Sequence, residues 1–225
     1  MGDSTVSYLV HLNAMAGGLF LLAAFAIVAT RQMLSCLRWF VAQALLLAAS
    51  AVVIGIGLGS IHLIAVAVIT VITKAILAPW FLRRTVRREV YRRREISQVL
   101  NIPTSLLAAA GLTLLAYAVS YPVTAVEPGH FTDINLPVGL AGLFLGAYTV
   151  AVRREALAQL LGLLAMENGA FLVAVAIAPD LPLITELAVA FDVPVTTLVI
   201  GLLTRRIHER VGRTSVGFLA ALREK

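Results

Sequence analysis

MENGAFLVAVAIAPDLPLITELAVAFDVPV, Met166 to Val195, is mostly Leu, Ala, Val and Phe, yet it holds four carboxylates. Asp180 sits at a Pro-flanked turn, while Glu167, Glu186 and Asp192 fall inside the apolar runs on either side. Those runs extend over about 155–178 and 181–204. At 1.5 Å per residue, about 20 apolar residues cross the roughly 30 Å hydrocarbon core of a bilayer as a helix. The stretch therefore reads as two membrane spans joined by a short outer turn, with acidic groups inside both.

Five further runs have the same character, near 6–29, 39–58, 60–82, 103–121 and 134–152. Hydrophobic residues make up 60% of the 225 and charged residues 13%, against the roughly 25% charged of an average soluble domain. The sequence predicts an all-α, polytopic membrane protein of about seven transmembrane helices. The runs are continuously apolar rather than alternating, which argues against a β-barrel. The first run is read as an anchor and not a cleavable signal, because Asp3 precedes it and Arg31 follows it.

The basic residues give an orientation. Arg31 and Arg38 flank the first link, and Arg83, Arg84, Arg87, Arg88, Arg92, Arg93 and Arg94 lie between the third and fourth runs. Arg153 and Arg154 separate the fifth and sixth runs, and Arg205, Arg206, Arg210, Arg213, Arg223 and Lys225 follow the seventh. With seven spans all of these share one side, and the other side holds only Asp3, Glu127, Asp133 and Asp180. The positive-inside rule makes the arginine side cytoplasmic, with the N-terminus outside and the C-terminus in the cytoplasm. The expected location is a bacterial or archaeal cell (inner) membrane. The net charge of +6 then needs no nucleic-acid partner, since topogenesis and anionic membrane lipids account for it. The single cysteine, Cys36, allows no internal disulfide and gives no metal signature.

Three segments follow from this layout. Residues 1–98 hold the first three spans and the basic cytoplasmic loop, 99–206 the remaining four, and 207–225 a cytoplasmic tail. Pro103 opens the fourth run at a first-turn position. The small residues of NAMAGG (13–18) and GLAGLFLGA (139–147) favour close helix packing. His11, Asn13 and His62 lie near span ends and read as satisfied boundary residues.

Depth singles out the candidate functional residues. Glu167 is twelve residues from the cytoplasmic end of its run, roughly 18 Å, and Asp192 eleven from the outer end of its own, about 16 Å. Lys74 is eight residues, about 12 Å, from the cytoplasmic end of the third run. All three lie near the bilayer midplane, where each ion costs at least about 2.5–3.5 kcal/mol. Glu186 is shallower and suits an outer vestibule. A lysine–carboxylate pair that merely locks the third span to the sixth or seventh is the bland reading. The functional one is a hydrated row of proton-carrying groups, Lys74, Glu167, Asp192 and Glu186, since poorly solvated acids and amines exchange protons near neutral pH. Asn168 beside Glu167, able to hold a water, and Pro194, which favours a kink beside Asp192, are supporting candidates. No phosphate loop, nucleophile constellation or Cys/His cluster appears, so no catalytic centre and no bound cofactor are expected of this chain.

GLLAMENGAF (162–171), LPLITELAVAFDVPVTTLVIGLLTRRI (181–207), ITKAILAPWFLRR (72–84) and LAALREK (219–225) together closely resemble hydrogenase-4 component E. The last three spans of that family, here 131–206, are similar to the K subunit of respiratory complex I and the C subunit of Mrp-type antiporters. Gly162, Leu163, Met166 and Asn168 match the K-subunit pattern, but Leu164 stands in place of that subunit's key glutamate, with Glu167 three residues on. Asp192 falls about where the K subunit carries its second glutamate. The resemblance implies a non-catalytic subunit of a group 4 [NiFe]-hydrogenase or formate hydrogenlyase-type complex that contributes to proton translocation. Nickel-iron and iron-sulfur centres would lie in partner subunits on the cytoplasmic side. Its membrane neighbours would be antiporter-like and quinone-site-like subunits. A Mrp-type cation/proton antiporter subunit without redox partners is the alternative.

Overall fold

A computed structural model of the chain describes residues 3–85, 96, 99–126 and 129–177. These residues form helices α1 (Asp3–Ala29), α2 (Met33–Leu58), α3 (Ile61–Thr70), a π-helical segment (Val71–Leu77), α4 (Ala78–Thr85), α5 (Ile102–Val126), α6 (Thr132–Val152) and α7 (Ala156–Ile177). Helix is what this composition dictates, because lipid offers no partner for a backbone N–H or C=O and a helix satisfies both internally. Six helical stretches are long and apolar enough to span a membrane, α3, the π segment and the start of α4 together forming the third. The seventh run, with Glu186, Asp192 and Pro194, lies outside the described residues, as does the tail. Trp39 and Trp80 are exposed near the arginine ends of the second and third spans, and Tyr8 and Tyr121 near the opposite ends. This is the aromatic distribution of two membrane–water interfaces.

Short links make the neighbours antiparallel. Between α2 and α3 the link is Gly59–Ser60, and Gly59 takes φ 67°. Its N–H donates to the Ile56 carbonyl at 3.4 Å, and Ser60 N–H donates to Gly55 at 2.9 Å, so the end of α2 is closed by a left-handed glycine cap. On the arginine side, Arg153 closes the end of α1. Its guanidinium is buried, and Nη2 donates to the carbonyls of Ile27 (2.8 Å), Val28 (3.2 Å) and Thr30 (2.7 Å). Arg153 is one of the two arginines of the link between the fifth and sixth spans, and the fold also uses it to satisfy carbonyls that α1 leaves open. Ile96 N–H also donates to Arg31, and Val99 N–H to Val152, so the residues ahead of α5 are stitched to both neighbouring links.

The tightest contact is between α6 and α7. A Cβ at Gly146 would collide with the backbone of Met166, and one at Gly169 with the backbone of Leu143. A Cβ at Gly139 would meet the backbone of Val173, and one at Gly142 the Phe20 ring of α1 as well as Gly169 Cα. This seam realises the expectation drawn from the small residues of 139–147, since only bare backbone allows two spans to approach so closely. α1 packs on α2 and α6, and α2 packs on α7. The half of the core on the arginine side is Leu37, Phe40, Leu82, Leu157, Leu161 and their neighbours. α5 is the peripheral helix, with Leu107, Leu114 and Tyr121 more than 70% exposed.

Substituting Gly146 or Gly169 by Val is expected to destabilise the bundle by on the order of 1–3 kcal/mol or more, the cost of overpacking. Gly18→Ala, where nothing lies within 4 Å of a new Cβ, should be neutral. Thermal unfolding in detergent measures the contrast.

Candidate functional site

The sequence of the third span explains how Lys74 is aimed. Pro79 has no N–H and crowds the carbonyl four residues back, so an α-helical turn through Ala75 to Pro79 is disfavoured. The chain widens its turns there instead: Ala78 N–H donates to the Thr73 carbonyl, five residues back, in π geometry. Thr73 Oγ1 also donates to the Ile69 carbonyl at 2.8 Å. Lys74 is the buried residue of the seven in this segment. The sequence reading took residues 60–82 as one uninterrupted helix; Pro79 was the available sign of the irregularity.

Lys74 Nζ lies 3.8 Å from Glu167 Oε2 and 6.0 Å from the centre of the Phe171 ring. Glu167 and Phe171 are four residues apart on α7, so they form one edge of that helix. The lysine is almost fully buried, while a quarter of the Glu167 side chain remains exposed. The lysine's partner in the described residues is therefore the carboxylate of the sixth run. The two groups meet inside the third and sixth helical stretches rather than at their ends. Asn168, the next residue, points elsewhere: its Nδ2 donates to Gln43 Oε1 on α2 at 3.4 Å, and both amides are fully buried.

A second polar group was not foreseen. Asn13, Ser50 and Asn135, from α1, α2 and α6, are buried together on the side away from the arginines. Asn13 Nδ2 donates to Asn135 Oδ1 at 3.0 Å, and Asn135 Nδ2 returns a bond to Asn13 Oδ1 at 3.2 Å. Ser50 Oγ donates to Asn13 Oδ1 at 2.7 Å and lies 3.1 Å from Asn135 Nδ2, from which it accepts. Asn13 is thus satisfied, as expected, but deep in a three-helix junction rather than at a boundary. His11 and His62 are exposed near span ends, and the His11 ring nitrogen is 2.6 Å from the Ser7 carbonyl. Gln43 and Asn135 lie close to the ends of the runs 39–58 and 134–152, so depth counting does not mark them, yet both are fully buried.

These features can be set beside known proteins. A protein described as "Uncharacterized protein Rv0085" from Mycobacterium tuberculosis is 34% identical over 222 residues, 98% of this chain and 100% of that one. The chain belongs to the Rv0085 family. Hydrogenase-4 component E of Escherichia coli K12 is 29% identical over 218 residues, covering 94% of this chain and 96% of its own, and the Shigella flexneri protein matches equally. This likeness runs through nearly every span, not only the stretches that first suggested it. No protein-family model matches the chain. No solved structure matches it.

Asn135→Leu should leave the Asn13 amide without its reciprocal partner and cost about 1–3 kcal/mol. Asn13→Leu with Asn135→Leu should recover part of that loss, because removing both partners is milder than orphaning one. Detergent melting curves of the single and double variants provide the comparison.

Proposed function

We propose that the chain is a non-catalytic membrane subunit of a group 4 [NiFe]-hydrogenase or formate hydrogenlyase-type complex related to respiratory complex I. In this reading it contributes to proton translocation through Lys74, Glu167, Asp192 and Glu186. The juxtaposition of Lys74 and Glu167 is the observation that carries it, read with the end-to-end likeness to hydrogenase-4 component E. The chain's own donor set does not fit an iron-sulfur cluster, which takes several thiolates, because it has one cysteine. Redox chemistry is accordingly assigned to partner subunits on the cytoplasmic side, beside antiporter-like and quinone-site-like membrane neighbours.

An ammonium close to a carboxylate keeps both ionised. Widening the gap leaves two lone ions in a poorly solvating medium, and proton uptake by the acid or release by the amine relieves the strain. The 3.8 Å separation is an ion-pair contact rather than a short hydrogen bond, so a small shift of either helix changes the balance. The irregular turn around Lys74 is a place where such a shift requires little rearrangement. Conducted protons would then pass between Glu167 and the acids of the seventh run.

A subunit of a Mrp-type antiporter would use the same pair without electron transfer. Purification of the intact assembly in mild detergent separates the two: hydrogenase and iron-sulfur subunits are expected to co-purify, whereas antiporter subunits alone would favour the alternative. Glu167→Gln and Asp192→Asn should leave the assembly intact and lower the number of protons moved per turnover in reconstituted vesicles. Parental proton movement in both variants would remove these residues from the path.

A further inference from the structure

We propose that Gln43 is a positioning residue, which through Asn168 sets the rotation and height of α7 that bring Glu167 opposite Lys74. The inference rests on the proton-carrying role of that pair and names a residue which acts on it from another helix.

Successive residues of a helix point about 100° apart. Met166 and Gly169 face α6 across the glycine seam, Asn168 faces α2, and Glu167 is left on the side of Lys74. Glu167 is thus bracketed between two fixed directions. The seam and a hydrogen bond from Thr132 Oγ1 to the Ala176 carbonyl (2.9 Å) hold α7 against α6, but they do not reach α2, where the apolar cluster of Leu37, Phe40, Leu157 and Leu161 gives contact without direction. A hydrogen bond between two fully buried amides is directional and is lost on a shift of a fraction of a turn.

The pair is poorly suited to a merely stabilising role. One bond of 3.4 Å joins the two amides, and Gln43 Nε2 and Asn168 Oδ1 have no hydrogen-bond partner among the described residues. Turning one amide over sets like atoms against each other and loses the bond, and turning both over restores one bond but still leaves one donor and one acceptor unused. Two apolar side chains of similar shape would hold the helices at least as well. The Asn13–Ser50–Asn135 junction, with its reciprocal bonds, is the opposite case. What Gln43 supplies that a leucine would not is direction.

The test uses the intact complex in vesicles, with assembly checked by co-purification. Two quantities are read: protons moved per turnover, and the infrared carboxyl band of Glu167, identified by its loss in Glu167→Gln. Gln43→Leu and Asn168→Leu should each shift that band and lower proton movement several-fold, and the double variant should be no worse than either single one. Exchanging the amides, Gln43→Asn with Asn168→Gln, keeps the pair and should restore both readouts, which a role in packing alone would not predict. An assembled Gln43→Leu complex with parental band and parental proton movement overturns the proposal. So does failure of the exchanged pair to restore either readout when both single variants assemble poorly. A shifted band in Gln43→Leu together with unchanged proton movement in Glu167→Gln would keep the positioning role and discard the proton path.

Discussion

Backbone contact between α6 and α7 is the constraint on which the site depends. Glycines at 139, 142 and 146 meet Gly169 and its neighbours with no side chain between them. In lipid, where apolar side chains gain little by leaving their surroundings, helices associate through close packing and polar contacts. The seam supplies the packing and fixes one face of α7. It leaves Asn168 and Glu167 to point at two different helices, α2 and the third span. One tightly packed interface therefore decides which face of α7 is left to meet the third span.

Polar groups in the bundle then fall into distinct kinds. The Asn13–Ser50–Asn135 junction closes on itself and ties three helices at one height. Arg153 ties the end of α1 to the α6–α7 link by charge-assisted bonds to carbonyls that no helical N–H reaches. The Lys74–Glu167 pair and the Gln43–Asn168 pair are looser, at 3.8 Å and 3.4 Å. Rigid connections surround adjustable ones, an arrangement that suits the ionisation change proposed for Lys74 and Glu167.

Much of this was legible in the sequence for a simple reason: membrane spans are coded by length and apolarity, and both survive without any knowledge of packing. Six of the seven expected runs correspond to helices, and the small residues of 139–147 mark the closest approach. Depth counting put Lys74 about 12 Å and Glu167 roughly 18 Å from the same end, both well inside their spans, because the rise per residue is constant. It gave no azimuth, so whether the lysine met the sixth span or the seventh was not readable. The π segment was missed because its cause, Pro79, lies five residues beyond the lysine it redirects. The second use of Arg153 was not readable, because spacing does not show that a charge at a span end also caps a neighbouring helix. Gln43 and Asn135 escaped notice since neutral amides carry a smaller penalty in lipid and stand out less.

The ion pair joins residues that are far apart in the chain, 74 and 167. Synthesis delivers the third span to the bilayer about ninety residues before α7 exists. During that interval the nascent protein holds an ammonium at half depth with no acid of its own to meet it, a load of at least about 2.5–3.5 kcal/mol. The apolar residues around Lys74 carry that load until the complementary helix arrives, so the hydrophobicity of the third span serves the lysine as well as the lipid.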